Sequence, residues 1–368
     1  MIATDFIPSA YSQEKREGTV IWKSPSNIAL VKYWGKMENQ IPANPSISFT
    51  LNAAATTTAL TYKRKNAPAA SFDFDLLFEG EEKPDFHPKI AQFFERIYPY
   101  LPFLKQYRFK IESSNSFPHS SGIASSASSM SALALCLVDL ERELCPEMED
   151  SYFKRKASFL SRLGSGSACR SIDGPLVQWG LHSRFEGSSD LFGIPHTDVI
   201  HPVFENYMDT ILLVDKGQKQ VSSSVGHQLM EGHAFASSRF EQANANLSRL
   251  KDVLATGDLS AFINIVENEA LTLHAMMMTS VPYFILMKPN TLEIINRIWE
   301  FRKSTDIPVG FTLDAGANVH VLYPEKDKKA VYDFIKDALL TYCEKGDHLC
   351  DAVGQGAKKV GNIENRDT

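Results

Sequence analysis

Residues 113–137 read SSNSFPHSSGIASSASSMSALALCL, and ten of the nineteen residues from Ser113 to Ser131 are serine. Alone, such a run reads as a low-complexity linker, or as a loop whose serines cap a helix. Its neighbours point elsewhere. YRFKIES, 107–113, has the alternation of a strand, and from about Ala124 the chain becomes strongly apolar, ALALCLVDLERELC, up to the stop at Pro146. A linker has no place between an apolar strand and an apolar helix, so the stretch is predicted to be a strand-to-helix loop. The first N–H groups of a helix are unpaired and carry partial positive charge, and small residues there let a phosphate approach closely. SSGIASSAS, 120–128, is therefore a candidate anion loop, although no G-K-[ST] follows to make it a Walker A motif.

Working outward, the first quarter is β-rich. TVIWKSPSNIALVKYWGK reads as strand, turn and a second apolar segment, and PSISFTL and AATTTALTYKRK have strand composition. Residues 86–104 repeat apolar positions at helical spacing until Pro99 and Pro102 close the pattern. SYFKRKASFLSRLG predicts a helix that stops at Gly164, and PLVQWG resumes as a strand. The mixed, proline-bearing segment 195–208 marks a boundary before the strand DTILLVD. Beyond it lies a long helical stretch broken at Gly257-Asp258, with further helices at 290–303 and 326–344. A strand pair is expected around VGFTLDAGANVHVLYP and a last strand in CDAVGQG, with a frayed tail after Lys358. The order is α+β, without regular βαβ alternation.

Composition narrows the function. With 368 residues, 43% hydrophobic and 22% charged, the chain has the makings of a sizeable core. A net charge of -6 offers no global attraction to polyanions, which argues against a dedicated nucleic-acid or membrane-surface binder and requires any anion to be held by a local site. Five cysteines, odd in number and without C-x-x-C spacing, suggest neither a disulfide framework nor a zinc cage and fit a reducing cytoplasm. No apolar run has signal-peptide or membrane-span length, which predicts a soluble intracellular protein.

Three further stretches carry chemistry. GSGSACRS, 164–171, flanks one arginine with small residues, and a guanidinium fork suits carboxylate or phosphate; a helix-to-strand turn with a surface arginine reads the same way. NIALVKYWGK, 27–36, brackets an aromatic pair with Lys32 and Lys36, which a solvated strand end also explains. In TLDAGANVH, 312–320, Asp314 ends an apolar strand at a turn, where aspartate commonly serves the turn itself. None is decisive alone.

Together SPSNIALVKYWGK, PANPSISFTL, FPHSSGIASSASS, GSGSACRS and FTLDAGANVH stand in the order and approximate spacing of the mevalonate diphosphate decarboxylases, a branch of the GHMP kinase superfamily, and the chain resembles that family from about Val20 to Pro324. The resemblance implies a two-lobed α+β GHMP-kinase fold, with an N-terminal lobe like ribosomal protein S5 domain 2 over residues 1–205 and a ferredoxin-like C-terminal lobe over 206–368. The active site would lie in the cleft between them. It also implies a homodimer that uses ATP and Mg²⁺, metal ligands undefined, to phosphorylate the C3 hydroxyl of mevalonate 5-diphosphate and then release phosphate and CO₂. Carried over by motif, Asp314, Lys32 and Arg170 take the catalytic positions. Tyr33, Trp34, Gly35, Lys36, Ser165, Gly166, Ser167, Ala168 and Cys169 fall at substrate positions, as does Ser224 in VSSSVG, 221–226, which matches a Ser/Thr-rich loop that meets the substrate, and Ser120, Ser121, Gly122, Ile123, Ala124, Ser125 and Ser126 fall at the ATP phosphate loop. Lys89 is the nearest counterpart of an arginine that binds the substrate diphosphate. The chain departs from the family at Ala317, commonly proline, and at Asp173-Gly174-Pro175.

Two alternatives share most of these residues. A decarboxylase of mevalonate 5-phosphate would keep the same Asp, Lys and Arg. A small-molecule kinase of the superfamily would keep the phosphate loop but has no need of an arginine clamp on a carboxylate.

Overall fold

The computed structural model describes residues 1–117, 123, 125–217 and 223–363; the side chains of 223, 224, 362 and 363 lie outside the description. In chain order the elements are β1 (Glu17–Val31), β2 (Ser46–Arg64), β3 (Asp73–Phe78), β4 (Glu81–Glu82), α1 (His87–Ile97), β5 (Tyr107–Asn115), α2 (Ser125–Leu144), α3 (Asp150–Gly164), β6 (Leu176–Trp179) and β7 (Ile194–Pro195). They continue as β8 (Met208–Leu212), α4 (Ser223–Gln228), α5 (Ala236–Thr256), α6 (Leu259–Met278), α7 (Pro289–Thr305), β9 (Gly310–Thr312), β10 (Val319–Tyr323), α8 (Lys328–Phe334), β11 (His348–Ala352) and β12 (Lys358–Ile363).

The strands form two sheets. The first runs β12-β1-β2-β5-β3-β4, with β6 paired to the start of β2 and β7 paired to β6; the second is the antiparallel β11-β8-β10-β9. Among the described residues, only the β3–β5 pairing in the first sheet is parallel. The turn expected between two apolar segments of TVIWKSPSNIALVKYWGK does not interrupt the strand, because Glu17–Val31 is one strand whose register against β2 slips between Pro25 and Asn27. Proline has no N–H to give the ladder, so the pairing skips a residue there without the strand ending.

Helices α1, α2 and α3 cover the first sheet over a core rich in aromatic residues, including Phe93, Phe94, Phe109 and Phe159, and the leader inserts Phe6 against Phe159 with ring centroids 4.4 Å apart. The serine stretch answers its own question here. From Ser125 it is already helix, and two of its hydroxyls lie in the core, where Ser128 Oγ meets Thr56 Oγ1 of β2 at 2.6 Å and Ser131 Oγ meets Ser24 Oγ of β1 at 2.6 Å. Hydroxyls that bond across a helix–sheet interface satisfy each other without water and let the backbones approach closely.

The C-terminal helices behave as the sequence predicts near Gly257-Asp258, where α5 ends and Asp258 caps α6 by accepting the Ala261 N–H at 3.0 Å. Three expectations are corrected. VSSSVG is not wholly loop, since α4 begins at Ser223. The helix expected at 326–344 is α8 followed by a π turn and a 3₁₀ turn. Within the tail expected to fray, Lys358–Ile363 form β12, which pairs antiparallel with β1, and residues 364–368 lie outside the described residues. A division between residues 205 and 206 separates the strands of the two sheets with that one exception. A second link between the lobes is Asp351, whose carboxylate accepts the N–H groups of Asn52, Ala53 and Ala54 at 2.7–2.9 Å.

Candidate active site

Lys32 leaves the end of β1 fully surrounded by protein, at 2% exposure, and its Nζ lies 3.0 Å from Oδ1 of Asp314, in the turn after β9. Burial pushes the lysine ammonium down from its usual range, and the Asp314 and Glu269 carboxylates oppose that shift. The Lys32 backbone is held on both sides. Its N–H donates to Glu269 Oε2 at 2.9 Å, and its carbonyl accepts from Arg239 Nη2 at 3.1 Å and from Asn44 Nδ2 at 3.0 Å. Glu269 and Arg239 are themselves a buried ion pair, with oxygen–nitrogen distances of 2.5 and 3.0 Å, and Asn246 adds a further donor to Glu269 at 2.7 Å. Asp314 is anchored by its main chain, whose carbonyl accepts from His274 Nε2 at 3.1 Å and from the Gly316 N–H at 2.7 Å.

Arg170 comes from a 3₁₀ turn, Gly166–Ser171, that follows α3. Its Nη1 donates to Ser46 Oγ at 2.5 Å, its guanidinium carbon lies 5.8 Å from the centroid of a Trp179 ring, and its buried Nε has no hydrogen-bond partner among the described residues. Desolvation lowers its affinity for a proton, against the pull of Cys169, Asp314 and Tyr33. Asn27 of the SPSN segment pins the turn by donating to Ser171 Oγ at 2.7 Å and to the Ser167 carbonyl at 3.2 Å. Tyr33 Oη is a second buried group without a partner among the described residues, and burial pushes its phenol well above the usual range, so it stays neutral. Gly166 makes room for it, since a Cβ there would stand 2.9 Å from that oxygen.

Lys32, Tyr33, Gly166, Arg170 and Asp314 line one cavity of about 530 Å³. Among its described lining residues are four cationic side chains, Lys32, Lys36, Lys89 and Arg170, and a single carboxylate, Asp314. A concave site with that imbalance draws anions even though the chain as a whole is negative. Burial lowers Lys89, and burial followed by the Arg96 charge lowers Lys36. The lining also includes the apolar side chains of Leu76, Phe78, Ile90 and Leu133.

The residues expected at the site divide into three groups. Lys32, Tyr33, Trp34, Lys36, Lys89, Ser125, Ser126, Ser165, Gly166, Ser167, Arg170 and Asp314 line the cavity, and Ser126 Oγ meets Ser165 Oγ at 3.3 Å, which brings the two serine-rich segments together. Gly35, Ile123, Ala168 and Cys169 are not among the lining residues. Gly35 supports the site through its N–H, Ile123 through its carbonyl, which accepts from Ser26 Oγ at 2.6 Å, and Ala168 and Cys169 fill the space behind the arginine turn. The Cys169 thiol, pushed up by burial to about 12, bonds the Gly166 carbonyl. Ser120, Ser121, Gly122 and Ala124, and the side chain of Ser224, lie outside the described residues.

Sequence reasoning passed over Asn27, Arg239, Glu269, His274 and His227. Charged residues within amphipathic helices read as solvent-facing, and nothing in SSRFEQ or VENEAL distinguishes the buried Arg239 and Glu269 from their exposed neighbours. His227 offered a usable signal: a lone histidine directly after VSSSVG, a segment already assigned to the substrate.

Comparison with known proteins matches two family models in tandem. Residues 24–190 match the diphosphomevalonate decarboxylase-like N-terminal domain, and residues 210–365 the mevalonate 5-diphosphate decarboxylase C-terminal domain. The chain is 28% identical over 335 residues to a diphosphomevalonate decarboxylase of Aspergillus fumigatus, covering 86% of this chain and 79% of that protein. Its structure is similar to that of a mevalonate diphosphate decarboxylase from Staphylococcus aureus, with a TM-score of 0.80, 26% identity and coverage of 94% and 98%. It is also similar to that of MDDEF, solved in complex with MVAPP, AMPPCP and magnesium, with a TM-score of 0.78, 27% identity and coverage of 93% and 99%.

Proposed function

Because the chain belongs to the mevalonate diphosphate decarboxylase family, we propose that it converts mevalonate 5-diphosphate and ATP to isopentenyl diphosphate, ADP, phosphate and CO₂. The observation that carries the residue assignments is the meeting of Lys32, Asp314 and Arg170, drawn from three distant segments, in one buried, cation-rich cavity.

The chemistry follows from what these groups can do. A tertiary alcohol is a crowded, poor nucleophile, and a carboxylate within hydrogen-bond reach can orient it and take its proton as the γ-phosphoryl arrives. Asp314 has that part, and Lys32 at 3.0 Å holds its carboxylate by an ion pair and offsets the charge that gathers on the transferred group. Once the C3 oxygen carries phosphate, its C–O bond breaks, and the electrons of the bond to the carboxylate close the double bond as CO₂ leaves. Arg170 holds the carboxylate in line with the departing group, its own fork steadied by Ser46. Tyr33, Lys36, Lys89, Ser165 and Ser167 hold the rest of the substrate, and Ser125 and Ser126, at the start of α2, face the ATP phosphates.

Among the described residues there is no cluster of three or more His, Cys, Asp or Glu side chains to hold a metal by itself. That donor set fits Mg²⁺, which is commonly held by one or two carboxylates together with substrate phosphates, and Asp314 is the carboxylate in the cavity wall. When bound, the ion supplies neutralisation of phosphate charge.

The same reading places the protein in the cytoplasm as a homodimer; all five cysteines are free, which supports a reducing compartment. Among the described residues no helix is long and apolar enough to cross a membrane. The deciding experiment measures CO₂ release and ADP formation with mevalonate 5-diphosphate and with mevalonate 5-phosphate. Equal yields of ADP and CO₂ from the diphosphate are expected. ADP without CO₂ would make the protein a kinase, and a higher kcat/KM for the monophosphate would change the substrate.

A further inference from the structure

His227 lies on α4 with its ring between Tyr33, centroids 4.2 Å apart, and Trp34, 4.6 Å apart. The close approach of α4 to this pair depends on Gly226, where a Cβ would come within 2.5 Å of the Trp34 ring. The histidine Nδ1 accepts the Gly35 N–H at 3.0 Å, so Nδ1 carries no proton. Burial, with the positive charges of Lys36 and Arg170 beside it, holds the imidazole down to about 3, so the ring is neutral under working conditions. A neutral ring with Nδ1 bare must carry its proton on Nε2.

Two other buried histidines spend a nitrogen on a protein partner, His274 on the Asp314 carbonyl and His320 on the Asp209 carboxylate. His227 does so with Nδ1, yet among the described residues Nε2 has no hydrogen-bond partner, and the residue lines the cavity. Polar groups enclosed by protein are paired almost without exception, so an N–H kept at a cavity wall points to a partner that arrives from solution. Its surroundings define that partner. Lys36 and Arg170 are cations, and the oxygen-rich end of an anion is what they draw.

We propose that His227 donates a hydrogen bond from Nε2–H to an anionic oxygen of the bound substrate, making it a substrate-orienting and specificity-determining residue of the cavity. It adds direction without adding charge. Cations attract any anion of suitable size, whereas a donor on a ring clamped between two aromatic faces rewards one position of the oxygen. The proposal rests on the reading of this cavity as the substrate site.

Two variants separate the two ends of the ring. In His227→Asn the amide falls near Nδ1, where its oxygen can still accept from Gly35 while the donor at Nε2 is lost. In His227→Gln the amide nitrogen falls near Nε2 and the acceptor for Gly35 is weakened. Binding of mevalonate 5-diphosphate is measured by calorimetry, alongside steady-state kinetics and thermal unfolding. A hydrogen bond to a charged group is worth enough that its loss should weaken substrate binding about tenfold or more in His227→Asn, with the KM for ATP unchanged and kcat within about threefold. His227→Gln should bind substrate within about threefold of the parent. Normal binding by His227→Asn, or a greater loss in His227→Gln than in His227→Asn, would mean that the ring only props Gly35, and would overturn the proposal. A parent protein that binds the diphosphate but releases no CO₂ would instead refute the proposed reaction and leave the donor assignment standing on the binding data.

Discussion

Replacing Glu269 by glutamine tests how Lys32 is aimed. The carboxylate is fully buried and takes four hydrogen bonds, two from Arg239, one from Asn246 and one from the Lys32 N–H. Glutamine has the same shape but one acceptor oxygen, so its NH₂ must face at least one of these donors, and Arg239 loses its counter-charge. At 3.0 Å and an effective dielectric of about 20, the attraction removed is roughly 5 kcal/mol. Breaking a buried pair on one side typically costs about 3–5 kcal/mol, because an uncompensated charge stays behind. If the two lobes melt as one unit, that lowers Tm by about 4–7 °C. Turnover should fall as well, because a neutral amide oxygen accepts the Lys32 N–H less strongly than the carboxylate it replaces and loosens that anchor, while Asn44 and Arg239 keep the lysine carbonyl.

A double variant separates the two effects. Glu269→Leu with Arg239→Met removes both charges at similar volume and should recover most of the lost stability, since apolar replacements of buried pairs are often neutral or better. It leaves Lys32 without either clamp, so kcat should remain depressed. Calorimetric or denaturant unfolding gives the first quantity and CO₂ release the second. Recovery of kcat together with stability would refute the reasoning and reduce the pair to a packing element.

Three further outcomes follow from the same geometry. Asp314→Asn should lower kcat at least about 100-fold while the protein stays folded and still binds ATP, since it removes the positioned base and the partner of Lys32 together; an unchanged kcat would exclude Asp314 as the base. Arg170→Gln should raise the substrate KM and slow turnover, and normal kinetics would mean that the carboxylate is held elsewhere. His274 titrates at about 4, mainly through burial, against roughly 6.5 in an unfolded chain, so the unfolded state takes up its proton first as pH falls. Its contribution to stability is complete above about pH 6.5 and is lost progressively toward pH 4, on the order of 2–3 kcal/mol. His274→Gln should flatten that part of the stability profile, and identical profiles for the two proteins would contradict the assignment.

The parts of this molecule that were legible in the sequence are those whose chemistry is local. Asp314 stands at a strand end before a turn, Arg170 within a run of small residues and Ser125 at a helix start, and each of these local signals survives in the structure. What was illegible depends on three-dimensional pairing. Arg239 and Glu269 have 29 residues between them on two helices, and only the packing of α5 on α6 turns two ordinary helix charges into a buried pair. Ser128 and Ser131 read as part of a loop-like serine run because their hydroxyl partners lie about 70 and 107 residues away in β2 and β1. The tail after Lys358 read as frayed because a polar strand shows itself only through the edge that it pairs with.

That pairing bears on how the molecule is made. β1, fifteen residues long, is synthesised early and takes β2 on one side, yet its other edge waits for residues 358–363. During translation the first lobe therefore carries a long, unpaired strand edge, the kind of surface that templates pairing with other chains. The strand that finally closes it begins with Lys358 and Lys359, and Lys359 reaches Asp139 of α2 at 2.7 Å, so the seal is fastened to a helix of the lobe it completes. A ribosome-stalled chain ending before residue 358 should thus hold a nearly finished lobe whose sheet is still open at one side.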